Sequence, residues 1–166
     1  MSAFVSSTDP SGVTAAPYAT SWAQATFSDG SFAEYFTVSD PSTGAFSDLT
    51  CQRFNPDGSK RGAEFAVGPW SSLSKVTVLE NDAVLVTWIG GDLEGLGVKG
   101  QIYSPQGLKL GPELTLNVEQ AGDQSNYSVA ALRAGGFALA YTVSGPPGFI
   151  LAQTHDGSGA PLGIPH

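Results

Sequence analysis

Charge is scarce in this sequence. Of its 166 residues only 13% are charged, and seven Lys and Arg face fifteen Asp and Glu, for a formal net charge of −8. Cations this few and this scattered cannot build the basic footprint that phosphate backbones or anionic lipid need, so neither nucleic acid nor membrane insertion is expected. Cysteine occurs once, as Cys51, which rules out an internal disulfide. A lone Cys on an apolar strand reads as a small buried hydrophobe rather than a nucleophile. No apolar run reaches the length of a bilayer-crossing helix, and the opening "MSAFVSSTDPSG" lacks the basic start and apolar segment of a secretory signal. The two histidines, His155 and His166, stand at no spacing that suggests a zinc centre or a Ser/His/Asp relay. No catalytic residue, metal ligand or cofactor is expected.

Turn-formers, by contrast, are plentiful: 21 Gly and 11 Pro in a chain that is 41% hydrophobic. That combination describes one domain made of many short strands. The chain also repeats itself about every fifty residues. "QRFNPDG" from Gln52, "QIYSPQG" from Gln101 and "QTHDGSG" from Gln153 are versions of one motif, and each follows a strand-like run: 23–38, 75–89 and 128–143.

The three units share a plan of four strands. A short apolar strand ends at Phe27, Leu79 or Leu132, and a tight turn, "SDGS", "END" or "RAGG", leads into a second strand of period two. Phe32, Glu34 and Phe36 occupy one face of that strand in the first unit, as do Val84, Val86 and Trp88 in the second and Phe137, Leu139 and Tyr141 in the third. The third strand carries the glutamine and, two residues on, a ring; a Gly-containing turn then leads to a fourth strand introduced by Gly62, Gly111 or Gly163. The boundaries fall at about 21–68, 73–118 and 126–166. The third unit stops early, and residues 2–7, "SAFVSS", resemble "AEFAVG" and "PELTLN" closely enough to supply its fourth strand and close the array.

Gln52 lies on the same strand face as Phe54, Gln101 as Tyr103, and Gln153 as His155. The expectation is structural: the amide satisfies backbone groups at the joint between units and the ring fills the gap, because residues repeated in every unit maintain the array. Glu34, Asp92, Glu94 and Glu113 are the acids that paired-carboxylate hydrolysis would draw on, and they read as solvated faces. Glu34 is the exception, since it stands on a packing face, with Arg53 as its expected counter-charge.

"SVAALRAGGFALAYTV", the glutamine–ring–"PDG" motif and the "RGAEFAVG" spacing resemble the roughly fifty-residue repeats of large bacterial extracellular and calcium-binding repeat proteins. The resemblance covers nearly the whole chain and implies blades of a β-propeller and an extracellular bacterial setting. The calcium-binding nonapeptide of such proteins is matched only loosely, by "GGDLEGLGV" from Gly90. The expected fold is therefore all-β, with three four-stranded antiparallel repeats as propeller-like blades. Three are too few for a ring, which points to a six-bladed homodimer. The alternative is a β-trefoil, whose lectin-like members also place a glutamine two residues before a ring.

What differs between units is free to bind. Trp22 and Tyr127 share a position before the first strand where the middle unit has Ser74, and Trp70 lies in the connection "GPWSS". Asp123, Gln124 and Asn126 flank Tyr127. Rings beside amides and carboxylates suit the apolar C–H faces and hydroxyls of a sugar. The expected function is a non-enzymatic, lectin-like or adhesive module that binds a carbohydrate or protein surface through Trp22, Trp70, Tyr127, Asp123 and Asn126. The alternative is a structural or assembly protein without a small ligand.

Overall fold

Strict alternation in the second strand of each unit demands that strand faces be covered, and the computed structural model covers them by stacking sheets. It describes residues 19–38, 43, 45, 47–68 and 74–166. These form three four-stranded antiparallel sheets, and no helix occurs among the described residues. Sheet 1 contains β1 (Ala19–Thr26), β2 (Phe32–Val38), β3 (Leu49–Phe54) and β4 (Phe65–Gly68). Sheet 2 contains β5 (Lys75–Val78), β6 (Val84–Gly91), β7 (Leu96–Tyr103) and β8 (Leu114–Thr115). Sheet 3 contains β9 (Gln124–Ala131), β10 (Phe137–Val143), β11 (Phe149–His155) and β12 (Pro161–Leu162). Within each sheet the strands follow chain order, a simple meander.

The same two turns are built three times. Phe27, Leu79 and Leu132 each exchange backbone hydrogen bonds with the residues that close the first hairpin, where Gly30, Asp82 and Gly135 have positive φ. The second turn, after β3, β7 and β11, needs a left-handed residue at its end, and Gly58, Gly107 and Gly159 fill that place with φ of 83°, 86° and 89°. The third sheet takes its fourth strand from its own unit: β12 pairs with Thr154 and His155, and His166 exchanges two backbone hydrogen bonds with Ala152. In sheets 1 and 2 the residue in that place is Phe65, opposite Cys51, or Leu114, opposite Gly100. Residues 2–7, the expected contributor, lie outside the described residues.

β1 packs beside β5, and β5 beside β9, while β9 and β1 make no comparable contact. The sheets therefore stack in a row, and each gap holds a core. Between sheets 1 and 2 lie Ala25, Ala33, Tyr35 and Cys51 on one side and Val84, Val86, Trp88 and Tyr103 on the other. Between sheets 2 and 3, Leu85, Val98 and Ile102 meet Phe137, Leu139, Tyr141 and Tyr127. In both joints the same face of one sheet meets the opposite face of the next. Removing these side chains from water is the main force that holds the sheets together.

Candidate functional site

The repeated glutamine has a structural task. The Nε2 group of Gln52 donates to the carbonyls of Arg53 (2.8 Å) and Gly62 (3.3 Å), and that of Gln101 to Ile102 and Gly111 (both 3.1 Å). Gln153 repeats the pattern with Thr154 (2.9 Å) and Leu162 (3.0 Å). All three amides are buried. They bond backbone groups as expected, but each acts inside its own sheet, tying the third strand to the segment that returns from the following turn, and not across the joint between units.

Of the three rings two residues on, Tyr103 and His155 do reach across a joint, while Phe54 stacks on Phe32 of its own sheet. The hydroxyl of Tyr103 donates to the carbonyl of Val67 on β4, and His155 Nε2 donates to the carbonyl of Leu116 at 3.1 Å. His155 is 1% exposed and stacks on Phe137 with ring centroids 4.8 Å apart. Burial holds its pKa below the ordinary value, and the hydrogen bond to Leu116 and the charge of Asp156 pull weakly the other way. The imidazole is neutral, with its proton on Nε2 and no partner for Nδ1. It replaces a structural tyrosine.

Glu34 stands opposite Gln52 and accepts from Gln24 Nε2 at 3.1 Å. Arg53, expected beside it, is opposite Ala33 and so points to the other face. Its guanidinium lies 5.6 Å over the Phe27 ring, its Nε is buried without a partner, and burial lowers its pKa. The counter-group of Glu34 is thus an amide. Asp92 is committed to its loop: one oxygen accepts from the N–H groups of Glu94 and Gly95, the other from Asn117 Nδ2. Burial opposes its ionisation, but these hydrogen bonds and Lys99 outweigh it and hold the carboxyl below the usual range. Among the described residues no three His, Cys, Asp or Glu side chains gather as a metal site would require.

The residues singled out for binding are dispersed. Tyr127 is 3% exposed, its ring in the core between sheets 2 and 3 and under Lys75 Nζ at 5.3 Å. Burial pushes its pKa up to about 12, against a hydrogen bond with Thr87. Gln124 is buried too, holding the carbonyls of Ala121 and Gly122 and accepting from Asn117. Asp123 Oδ1 accepts from the backbone of Leu96 at 3.0 Å. Asn126 is exposed, with φ of 45° at the register shift of β9. Trp22 lies on β1 at the matching register shift between Ser21 and Ala23. The side chain of Trp22 and the whole of Trp70 fall outside the described residues.

A groove that the sequence did not reveal opens beside Asp123. It measures about 430 Å³ and lies at the seam between sheets 2 and 3, where the 119–122 connection meets the 144–149 loop. Phe149, 45% exposed, and the rings of Pro146 and Pro147 form an apolar wall, with Glu119 and Ser144 at the rim. Ser144 Oγ accepts from the Asp123 N–H at 3.0 Å, and Ser144 N donates to the Asp123 carbonyl, which fixes one side of the groove to the other. "SGPPGF" was a sequence signal for it, but only as a turn. Comparison with protein-family models and with curated proteins gives no match to this chain.

Proposed function

We propose that the chain is a non-enzymatic, lectin-like binding module built of β-propeller-type blades, which takes a neutral saccharide in the seam groove between sheets 2 and 3. The groove carries this reading. Its volume falls in the range of small-molecule sites, and it offers a ring for the C–H face of a sugar and polar groups for its hydroxyls. Net charge of −8 and Glu119 at the rim disfavour an anionic ligand. The blade reading is supported by strand pairing that stays inside each unit, since a β-trefoil shares strands between units. A glycan array tests the function. At least one neutral glycan should bind, and Phe149→Ala should weaken it about tenfold or more, the worth of one stacked ring. An array silent throughout would end the proposal.

One observation favours a second reading, an assembly protein with no small ligand. Ile150 on sheet 3 is 72% exposed, whereas the residues in its place on sheets 1 and 2, Leu49 and Val98, are 1% and 0% exposed. A silent array together with stable self-association would support this reading over the first.

A further inference from the structure

The two joints inside the molecule are one joint made twice, and among the described residues the ends of the stack leave its two halves uncovered. Let the leading face of a sheet be the one that meets the preceding sheet, and the trailing face the one that meets the following sheet. The leading faces of sheets 2 and 3 are covered by sheets 1 and 2. The leading face of sheet 1 carries Phe32, Phe36 and Phe54, all half-buried, around the Gln24–Glu34 hydrogen bond, and among the described residues no sheet lies over them. Phe32 and Phe54 stack at 4.9 Å and 11°, the arrangement that Phe137 and His155 adopt at 4.8 Å and 10° under the cover of sheet 2. The exposed pair is already in the geometry of a closed joint.

The trailing face of sheet 3 is its counterpart. Ala130, Ala138, Ala140 and Ala152 lie there beside Ile150. Inside the molecule the trailing face of sheet 1 also sets small residues, Ala25, Ala33 and Cys51, beside Tyr35 and Leu49, opposite Trp88 and Tyr103. Three phenylalanines against four alanines would set large residues on small ones, as Trp88 and Tyr103 are set on Ala25, Ala33 and Cys51. The turn glycines give a second, independent sign. A Cβ on Gly107 would come within 2.3 Å of the Phe65 ring of the preceding sheet, and one on Gly159 within 2.3 Å of Leu114 Cδ1. Gly58, in the same place on sheet 1, has nothing within 4 Å among the described residues. The residue that holds the Phe65 and Leu114 position on sheet 3 is His166.

We propose that a second copy of the chain stacks head to tail on the first, its Phe32, Phe36 and Phe54 face on the Ala138, Ala140 and Ile150 face, with His166 seated at Gly58, and that two copies close a ring of six sheets. Head-to-tail contacts form a ring only if the rotation closes. Two copies give a sheet count inside the range of closed propellers, and three would exceed it. The inference rests on the blade reading above and not on the saccharide. Glycan binding by a chain that stays monomeric, or a dimer without glycan binding, separates the failure of one from the failure of the other.

Sedimentation equilibrium with circular dichroism tests it. The wild type should show the mass of two chains. Ile150→Glu, and independently Thr154→Glu, are exposed on the trailing face and should leave the dichroism unchanged while weakening the dimer about tenfold or more. Thr26→Glu, exposed beside Phe32 on the leading face, should do the same. An equimolar mixture of Ile150→Glu and Thr26→Glu chains retains one unmodified joint and should regain a two-chain species. A wild type of single-chain mass at ~100 µM, weaker than a specific interface of this kind, would overturn the proposal. So would indifference to all three substitutions, a mixture that fails to associate, or masses that climb beyond two chains.

Discussion

The joint between sheets 1 and 2 and the joint between sheets 2 and 3 solve one problem with different side chains. In the first, Tyr103 reaches the Val67 carbonyl and Trp88 lies against Gly68, over a bed of Ala25, Ala33 and Cys51. In the second, His155 reaches the Leu116 carbonyl, the Tyr141 hydroxyl accepts from the Glu119 N–H, and Leu85 and Ile102 stand where the first has Ala33 and Arg53. What stays the same is a polar-tipped ring that satisfies a buried carbonyl of the preceding sheet, and a bare glycine that receives that sheet's apolar residue. What changes is the filling between them. Geometry is fixed by the few groups with directional demands, and volume is distributed among the rest.

The largest expected effect breaks the glycine seat. Gly58, Gly107 and Gly159 share a positive φ, which costs an Ala at each about 1–2 kcal/mol. At Gly107 the new methyl also meets the rigid Phe65 ring, raising the expected loss to about 4 kcal/mol. At Gly159 it meets the end of Leu114, which can turn aside, so about 2–4 kcal/mol is expected. With dimerisation weakened by Ile150→Glu and at low chain concentration, so that no second copy occupies Gly58, urea unfolding of the three Ala variants should rank them Gly107, Gly159, Gly58 in order of damage. Equal losses would show that the seat does not depend on the preceding sheet.

The ring position sharpens the comparison further. His155→Phe leaves the Leu116 carbonyl buried and unpaired, for about 1–3 kcal/mol. His155→Tyr transplants the group that the first joint uses and should recover most of that loss. The two rings also differ in pH response. Burial depresses the folded-state pKa of His155 below its unfolded value of 6.5, so the unfolded chain binds the extra proton more readily. Its contribution is complete above about pH 6.5 and declines as pH falls through that value towards the folded one. Burial instead raises Tyr103, to about 12, so it stays neutral throughout this range. Thermal unfolding of the wild type should lose stability from pH 7.5 to 5, and His155→Tyr should lose less. Asp29, Asp57 and Asp156, each lowered chiefly by hydrogen bonds from a serine two residues on, respond only at more acid pH.

The all-β class, the three meanders and both families of turns were legible because period-two alternation and turn chemistry are local, and fifty-residue repetition shows them three times. Glu34 shows where local reading stops. Its strand gave its face correctly, but its partner came from β1, and choosing between Gln24 and Arg53 required the register of both neighbours. The seam groove was hidden for the same reason: Phe149 and Glu119 are distant in sequence and meet only when sheets 2 and 3 stack. Tyr127 shares with Trp22 a position where the middle unit has Ser74, which marks it in the sequence as a binding ring, and the β9 register shift turns it into the core.

The smallest expected effect concerns the filling itself. Cys51 lies in the first joint, and Gly100 holds the same place in the second, so a sulfur is present on one side of the comparison only. Burial pushes the thiol up to about 11, against a hydrogen bond with Tyr35 and the charge of Arg53. With so little thiolate at neutral pH and no solvent contact, native Cys51 should react with iodoacetamide about a hundredfold more slowly than the urea-unfolded chain. Cys51→Ala should cost only about 1 kcal/mol, since sheet 2 tolerates a still smaller residue there. Mass spectrometry after timed alkylation measures the first and urea unfolding the second. Labelling at the unfolded rate would mean that the first joint opens readily in the native state while the second, with no sulfur to report on it, must be compared through the protection of its backbone amides from exchange.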